Sequence, residues 1–141
     1  MPHPKMFRDD DPLLARVREI AMTFPGAAEK VSHGRPNFYT TKIFVYFGGS
    51  QKVDGEWVSH EESILVLPDE TERVALLGDP RVYLPAYLGP SGWIGFQLPA
   101  ARAAKAKWAE VAELIDASYR STAGKRHVAE LAARRTQLSD R

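Results

Sequence analysis

The segment from Phe24 to Phe47, FPGAAEKVSHGRPNFYTTKIFVYF, constrains the fold of this 141-residue chain more than any other. Two turn-forming clusters, Pro25–Gly26 and His33–Gly34–Arg35–Pro36, separate short runs that are rich in aromatic and β-branched residues. Glycine and proline favour turns, and runs of this composition favour strands. The segment therefore predicts a tightly turned antiparallel meander, with strands at residues 28–32, 37–41 and 43–47.

Helix signals lie on both sides of this meander. Asp11–Pro12 is a typical helix start, and Asp69 followed by Glu72 has the spacing of a capping box. Apolar residues at intervals of three and four predict helices at residues 12–23, 105–122 and, with more charge, 125–138. Further strands are expected at 62–67 and 93–98, and the turn-rich residues 48–55 are expected to form a loop.

This order of elements predicts one α+β domain. Adjacent strands imply an antiparallel sheet, and the amphipathic helices imply a second layer on one face of it. The expected order is α, three to four β, α, β, α and a C-terminal helix. A chain of 141 residues suits one domain, here 1–141 with a core at about 12–122 and a helical extension at about 125–138.

Composition narrows the chemistry that this chain can perform. The absence of cysteine excludes disulfides, thiolate nucleophiles and cysteine-based zinc sites. No apolar run approaches the ~18–20 residues of a membrane span. The polar N-terminal residues lack the apolar segment of a secretory signal, so we expect a cytoplasmic protein without a membrane partner.

Basic residues on the predicted turns suggest contact with phosphates. We expect Lys30, Arg35 and Lys42 to converge at one end of the meander, with help from Lys125 and Arg126. From Arg120 onward the chain carries six basic and two acidic side chains, although a solvated helix explains this as well. The net charge of +1 predicts weak rather than tight backbone binding.

A second group of residues suggests a small-molecule pocket. His33, Arg81, Tyr87 and Trp93 combine aromatic rings with cationic groups, which suits a planar or anionic ligand. The alternatives are structural: His33 bonded to the backbone of its turn, and Trp93 packed against the helix that contains Trp108.

Signals for catalysis and for cofactors are lacking. The four histidines share no metal-ligand spacing, and neither a G-x-x-x-x-G-K-[ST] loop nor a G-x-S-x-G elbow occurs. We therefore expect no metal, no cofactor and no enzymatic activity.

The same residues resemble the MmcQ/YjbR family of small bacterial proteins. The resemblance spans about residues 12–122 and rests on collinear pieces: Phe24-Pro25-Gly26, Glu29, His33 to Phe38, Lys42-Ile43-Phe44, Leu65, Pro68 to Glu72, Gly92 to Gly95, Leu114-Ile115 and Ser118-Tyr119-Arg120. It implies a secretion-chaperone or CyaY-like α+β fold. It also implies DNA binding through a double-wing arrangement, and one member's association with mitomycin biosynthesis leaves a small-molecule role open.

Residues and resemblance together lead to one functional hypothesis and its alternatives. We expect a non-enzymatic DNA-binding protein that makes weak, largely sequence-independent backbone contacts through Lys30, Arg35, Lys42, Lys125 and Arg126. The alternatives are a small-molecule-binding module and a protein-interaction module, both without catalysis.

Overall fold

The computed structural model describes residues 4–139, in which four α-helices accompany six strands. The helices are α1 (Pro12–Ala21), α2 (Glu70–Leu76), α3 (Lys105–Thr122) and α4 (Lys125–Ser139). The strands are β1 (Ala28–Ser32), β2 (Arg35–Tyr39), β3 (Ile43–Val53), β4 (Glu56–Val66), β5 (Val82–Tyr83) and β6 (Ile94–Gln97). A single 3₁₀ turn at Gly89–Ser91 precedes β6. None of the described helices is long and apolar enough to cross a membrane.

The six strands form one antiparallel sheet in the order β1-β2-β3-β4-β6-β5. The predicted α+β class is therefore confirmed, with one difference in order. Two strands, β5 and β6, lie between α2 and α3 where the sequence predicts one. The extra strand has only two residues, too few for a periodic signal.

The hairpin of β3 and β4 is much longer than predicted. Each strand has eleven residues, and Asp54–Gly55 joins them with φ of 51° and 81°, as in a type I′ turn. The predicted loop at 48–55 is therefore wrong for residues 48–53. Gly48 and Gly49 lie at a register shift in the pairing rather than in a loop, and glycine at such a bulge resembles a loop signal.

The core lies between the helices and one face of the sheet. Ile64 and Val66 on β4 are buried in a main apolar cluster with residues from α1, α3 and α4, and the partly buried Leu76 of α2 packs against it. Leu65 belongs to a smaller second cluster. Because side chains alternate along a strand, the second cluster lies on the opposite face. We call that opposite side the open face.

Local signals explain the helix positions, and buried hydrogen bonds fasten α3 to the sheet. Asp11 and Asp69 accept hydrogen bonds from Leu13 N and Glu72 N, both at 2.8 Å, as predicted for N-caps. The Ser118 hydroxyl accepts from Leu67 N at 2.8 Å and donates to the carbonyl oxygen of Phe44. These bonds connect α3 to β3 and to the end of β4, which fixes the sheet that carries the open face.

Candidate functional site

A groove crosses the open face between the β1–β2 turn, the β3–β4 hairpin and the loop that follows β5. Its volume is about 660 Å³, within the range of about 300–1,000 Å³ that is usual for small-molecule sites. Tyr46 and Leu65 contribute to its floor, Arg35 and His33 to one wall, and Trp57 and Tyr87 to its mouth. We refer to this cavity as the groove.

The floor of the groove rests on the second apolar cluster. Trp93 is 9% exposed and packs with Leu65 and Tyr83. Its ring meets Tyr46 edge-on, with the centroids 5.3 Å apart. The prediction that Trp93 is buried is confirmed, but its predicted partner is wrong. Trp108 belongs to the main cluster, on the other face of the sheet.

Two exposed aromatic rings stand at the mouth of the groove. Tyr87 is 85% exposed and Trp57 is 53% exposed, and their ring centroids lie 5.8 Å apart. Tyr87 has φ +67°, a left-handed conformation that is unusual for a bulky residue outside a tight hairpin turn. The neighbouring Ala86 N donates to Ser50 O at 2.9 Å, which holds the loop against β3.

Sequence reasoning identified Tyr87 but missed Trp57. The tryptophan follows the Asp54–Gly55 turn by two residues. It lies between the predicted loop at 48–55 and the predicted strand at 62–67. An Asp-Gly pair flanked by β-forming residues is a strong hairpin signal, and it would have placed Trp57 on a strand.

The basic wall of the groove centres on Arg35. Its stem crosses Gly48, where an added Cβ would lie 3.1 Å from Arg35 Nε, and its Nη2 donates to Glu61 Oε1 at 2.7 Å. The Arg35 side chain is 16% exposed, and its buried Nε has no hydrogen-bond partner among the described residues. His33 lies in the β1–β2 turn and lines the groove beside it. Arg35 is thus a partly buried cation with unused donor capacity.

A polar network beside the floor joins the hairpin to β6. With the amide atoms as placed, Gln97 Nε2 donates to His60 Nδ1 and His60 Nε2 donates to Gln51 Oε1, both at 2.6 Å. The imidazole stacks on Tyr83 with centroids 4.0 Å apart, and the Tyr83 and Ser63 hydroxyls are 2.7 Å apart. Burial lowers the pKa of His60 and raises that of Tyr83 to about 12. Both groups are therefore neutral at pH 7, and the network connects β3 and β4 to β6 through neutral hydrogen bonds.

Arg81, predicted to line a pocket with Tyr87 and Trp93, lies outside the groove. Its Nη2 approaches Asp79 Oδ2 at 2.8 Å and Glu110 Oε1 at 2.6 Å, and its guanidinium lies over the Phe96 ring at 4.8 Å. The hydrogen bonds that Arg81 donates to Asp79 and Glu110 raise its pKa. Arg81 therefore links the segment before β5 to α3.

The structure separates the basic residues that were predicted to converge. Arg35 begins β2, whereas Lys42 follows the other end of the same strand. Successive turns of an antiparallel meander lie at alternate ends, so the predicted convergence is wrong. Lys30 lies on the open face, because it pairs with Asn37 and Asn37 pairs with Tyr46, and its Nζ lies 4.6 Å from the Tyr39 ring centroid.

Lys42, Lys125 and Arg126 instead lie around one end of the sheet. Lys42 is exposed in the turn after Tyr39, and Tyr39 pairs with Ala28. The His127 ring lies directly against Gly26, two residues before Ala28, which brings the start of α4 to the same end. Lys125 and Arg126 are exposed there, with Arg126 Nε 3.5 Å from Glu130 Oε1. Asp140 and Arg141, which entered the charge count of the tail, lie outside the described residues.

Ligand sets for a metal are not found in the part of the chain that the structure describes. Across residues 4–139, no three or more His, Asp or Glu side chains are grouped so that they could hold an ion.

Comparison with known proteins identifies one family. The YjbR family model matches residues 22–121, which run from the end of α1 through all six strands to the last turns of α3. Comparisons with curated proteins and with solved structures give no match. The match takes in the floor, the basic wall and the mouth of the groove. Since it covers well over half of the 141 residues, the chain belongs to the YjbR family.

Proposed function

We propose that this protein is a non-enzymatic binding protein that takes a small planar molecule into the groove. The observation that carries the proposal is the Trp57–Tyr87 pair at the mouth. More than half of the surface of each ring is exposed, although the two rings contact each other. The floor beside them is already packed by the second apolar cluster. Rigid aromatic groups around a preformed concave surface are typical of small-molecule sites.

The backbone of Tyr87 supports this interpretation. A left-handed conformation costs a side-chain-bearing residue roughly 1–2 kcal/mol. An 85% exposed ring recovers little of this through burial in the free protein. Strained residues of this kind are common at ligand clamps. A ligand that stacks on Tyr87 would give the strained position a function.

The polar groups around the floor favour binding over catalysis. Both ring nitrogens of His60 are engaged with glutamine amides. The Ser63 hydroxyl donates to the carbonyl oxygen of His60 at 2.7 Å. A nucleophile needs a neighbouring base that is free to accept its proton. These side chains are engaged in structural hydrogen bonds, so we assign them to support of the floor.

Titration with a neutral planar probe tests the proposal. Naphthamide should bind the parent protein with a dissociation constant between about 10 μM and 1 mM, as measured by isothermal calorimetry and ligand-detected NMR. Tyr87→Gly and Trp57→Ala should each weaken binding by about three- to tenfold, since each removes one face of the aromatic contact. Leu84→Ala, in the same loop and 50% exposed, is the control and should bind like the parent.

Tyr87→Gly also separates binding from folding. Glycine adopts positive φ without steric cost, so this variant should melt at or above the temperature of the parent while it binds more weakly. If naphthamide does not bind the parent at about 1 mM, or if both aromatic variants bind it as the parent does, the groove is not a ligand site.

The second candidate function is weak, sequence-independent contact with the DNA backbone. The observation that favours it is the grouping of exposed Lys42, Lys125 and Arg126 around one end of the sheet, with Lys30 on the adjoining open face. Arg35 contributes less to this candidate than the sequence suggests, because Glu61 already pairs with it.

A further inference from the structure

No acidic side chain belongs to the described lining of the groove. Arg35 is the charged side chain of that lining, and His33 lies beside it. Lys52 adds a cation at the mouth, with its Nζ 5.5 Å from the Trp57 ring centroid. Glycine and serine occupy much of the remaining hairpin side, as Gly48, Gly49 and Ser50. The groove therefore has basic groups at its wall and beside its aromatic mouth, and Glu61 pairs with the one at the wall.

Arg35 has donors to offer. A guanidinium carries five N–H groups in a fixed plane. Nη2 bonds to Glu61, and the buried Nε finds no acceptor among the described residues. A buried donor without a partner is unfavourable. Because this Nε is enclosed by the protein, a ligand acceptor would reach the guanidinium through Nη2, in place of Glu61.

The partner of Arg35 is well placed to give it up. The Glu61 side chain is 46% exposed, whereas that of Arg35 is 16% exposed. Water can solvate the Glu61 carboxylate once the bond breaks, while the guanidinium remains over Gly48 and needs a new acceptor. Replacement of Glu61 by a ligand anion therefore costs less free energy than breaking the Arg35–Glu61 bond with no new acceptor for Arg35.

From this geometry we infer that the ligand is a planar aromatic anion. Its ring lies against the Trp57–Tyr87 pair and the floor, and its carboxylate or phosphate accepts hydrogen bonds from Arg35 in place of Glu61. The inference rests on the proposed function, because it assigns the class of ligand to the same groove. Glu61 then acts as an internal competitor that sets the affinity for the anion.

Three probes with the same ring test this assignment. Naphthoate and naphthyl phosphate carry the anion, and naphthamide is the neutral control. The parent should bind at least one anionic probe about tenfold or more tightly than the amide, because charge-assisted hydrogen bonds are stronger than neutral ones. The order of the two anions tells whether a carboxylate or a phosphate is the natural group.

Two variants test the roles of the ion pair. Glu61→Gln removes the competitor and should tighten binding of the anionic probes by about threefold or more, with naphthamide unchanged. The double variant Arg35→Gln/Glu61→Gln leaves no unpaired charge, and it should bind the anions no better than the amide. Arg18→Gln/Glu29→Gln removes an ion pair outside the groove and should keep the preference of the parent.

The possible results separately test the anionic class of the ligand, the role of Arg35 and the groove as a ligand site. Equal binding of anions and amide by the parent would overturn the inference and leave the proposed function intact. A preference for anions that survives Arg35→Gln/Glu61→Gln would overturn the role of Arg35. Failure of all three probes to bind at about 1 mM would overturn the groove as a ligand site altogether. Should the double variant not fold, Glu61→Gln alone decides, since unchanged anion affinity in it contradicts the exchange.

Discussion

Trp93 is 9% exposed beneath the groove, whereas Trp57 is 53% exposed at its mouth. Trp93 contacts Tyr46 and packs with Leu65 and Tyr83, so its removal leaves a hole in the second cluster. Trp57 contacts Tyr87 and lies near Lys52, both of which are exposed. The same residue type thus supports the floor in one place and is available to a ligand in the other.

Alanine replacement should separate these two roles. Trp93→Ala should lower the free energy of unfolding by about 3–5 kcal/mol, as large aromatic truncations in cores do. Trp57→Ala should lower it by less than about 1 kcal/mol. Urea denaturation followed by circular dichroism measures both. A Trp93→Ala variant as stable as the parent would mean that the ring does not support the floor.

The sequence predicted the burial of Trp93 but not its side of the sheet. Ile94 and Phe96 belong to the main cluster, and Trp93 precedes them with the opposite parity. Alternation shows that neighbouring residues point to opposite faces, but it does not show which face the helices cover. The left-handed backbone of Tyr87 was also beyond prediction, because tyrosine rarely adopts it.

Among the elements, α4 depends on few buried side chains. Leu131 is 6% exposed and belongs to the main cluster, whereas Leu138 on the same helix is 67% exposed. Polar contacts accompany Leu131: Arg134 Nη1 donates to Thr23 O at 3.1 Å, and Arg135 pairs with Asp116. The exposed ion pair contributes little free energy, so Leu131 should dominate the docking of α4.

A pair of leucine variants tests this docking. Leu131→Ala should lower the free energy of unfolding by about 2–4 kcal/mol, since it leaves a cavity between α4 and the core. Leu138→Ala on the same helix should change it by less than about 0.5 kcal/mol. Chemical denaturation gives both values. Equal effects of the two changes would show that α4 is not held through Leu131.

Helices were predicted more accurately than strands, for a physical reason. The bounds of α3 and the N-caps of α1 and α2 depend on residues within one turn of each other. The length of β3 instead depends on pairing with β4, as in Ser50 opposite Ser59. That pairing also positions Trp57, so the mouth of the groove could not be derived from local signals.

At the scale of the whole molecule, the charge is nearly balanced but unevenly placed. The net charge is +1, and several basic side chains are paired with carboxylates, including Arg18 with Glu29 and Arg35 with Glu61. Consecutive turns of the meander carry their cations to opposite ends of the sheet, which is a property of topology that the sequence pattern did not reveal. Exposed Lys42, Lys125 and Arg126 lie around one end of the sheet, and this is the surface proposed above for phosphate contact.

The salt dependence of DNA binding tests this arrangement. If Lys42, Lys125 and Arg126 contact phosphates, binding should be weak and should have the same strength on unrelated duplexes. The slope of log affinity against log salt concentration should steepen by about one unit per contact. Lys42→Ala/Lys125→Ala should reduce that slope by about two units on any sequence. Lys52→Ala/Lys107→Ala, which removes two exposed lysines from the hairpin and from α3, is the control of equal charge.

If the control loses as much affinity as the first variant, binding follows net charge alone and no surface is defined. If the parent does not bind DNA at low salt, the basic end has no such role. The function would then lie in the groove, where the ion pair of Arg35 and Glu61 makes affinity depend on the charge of the ligand.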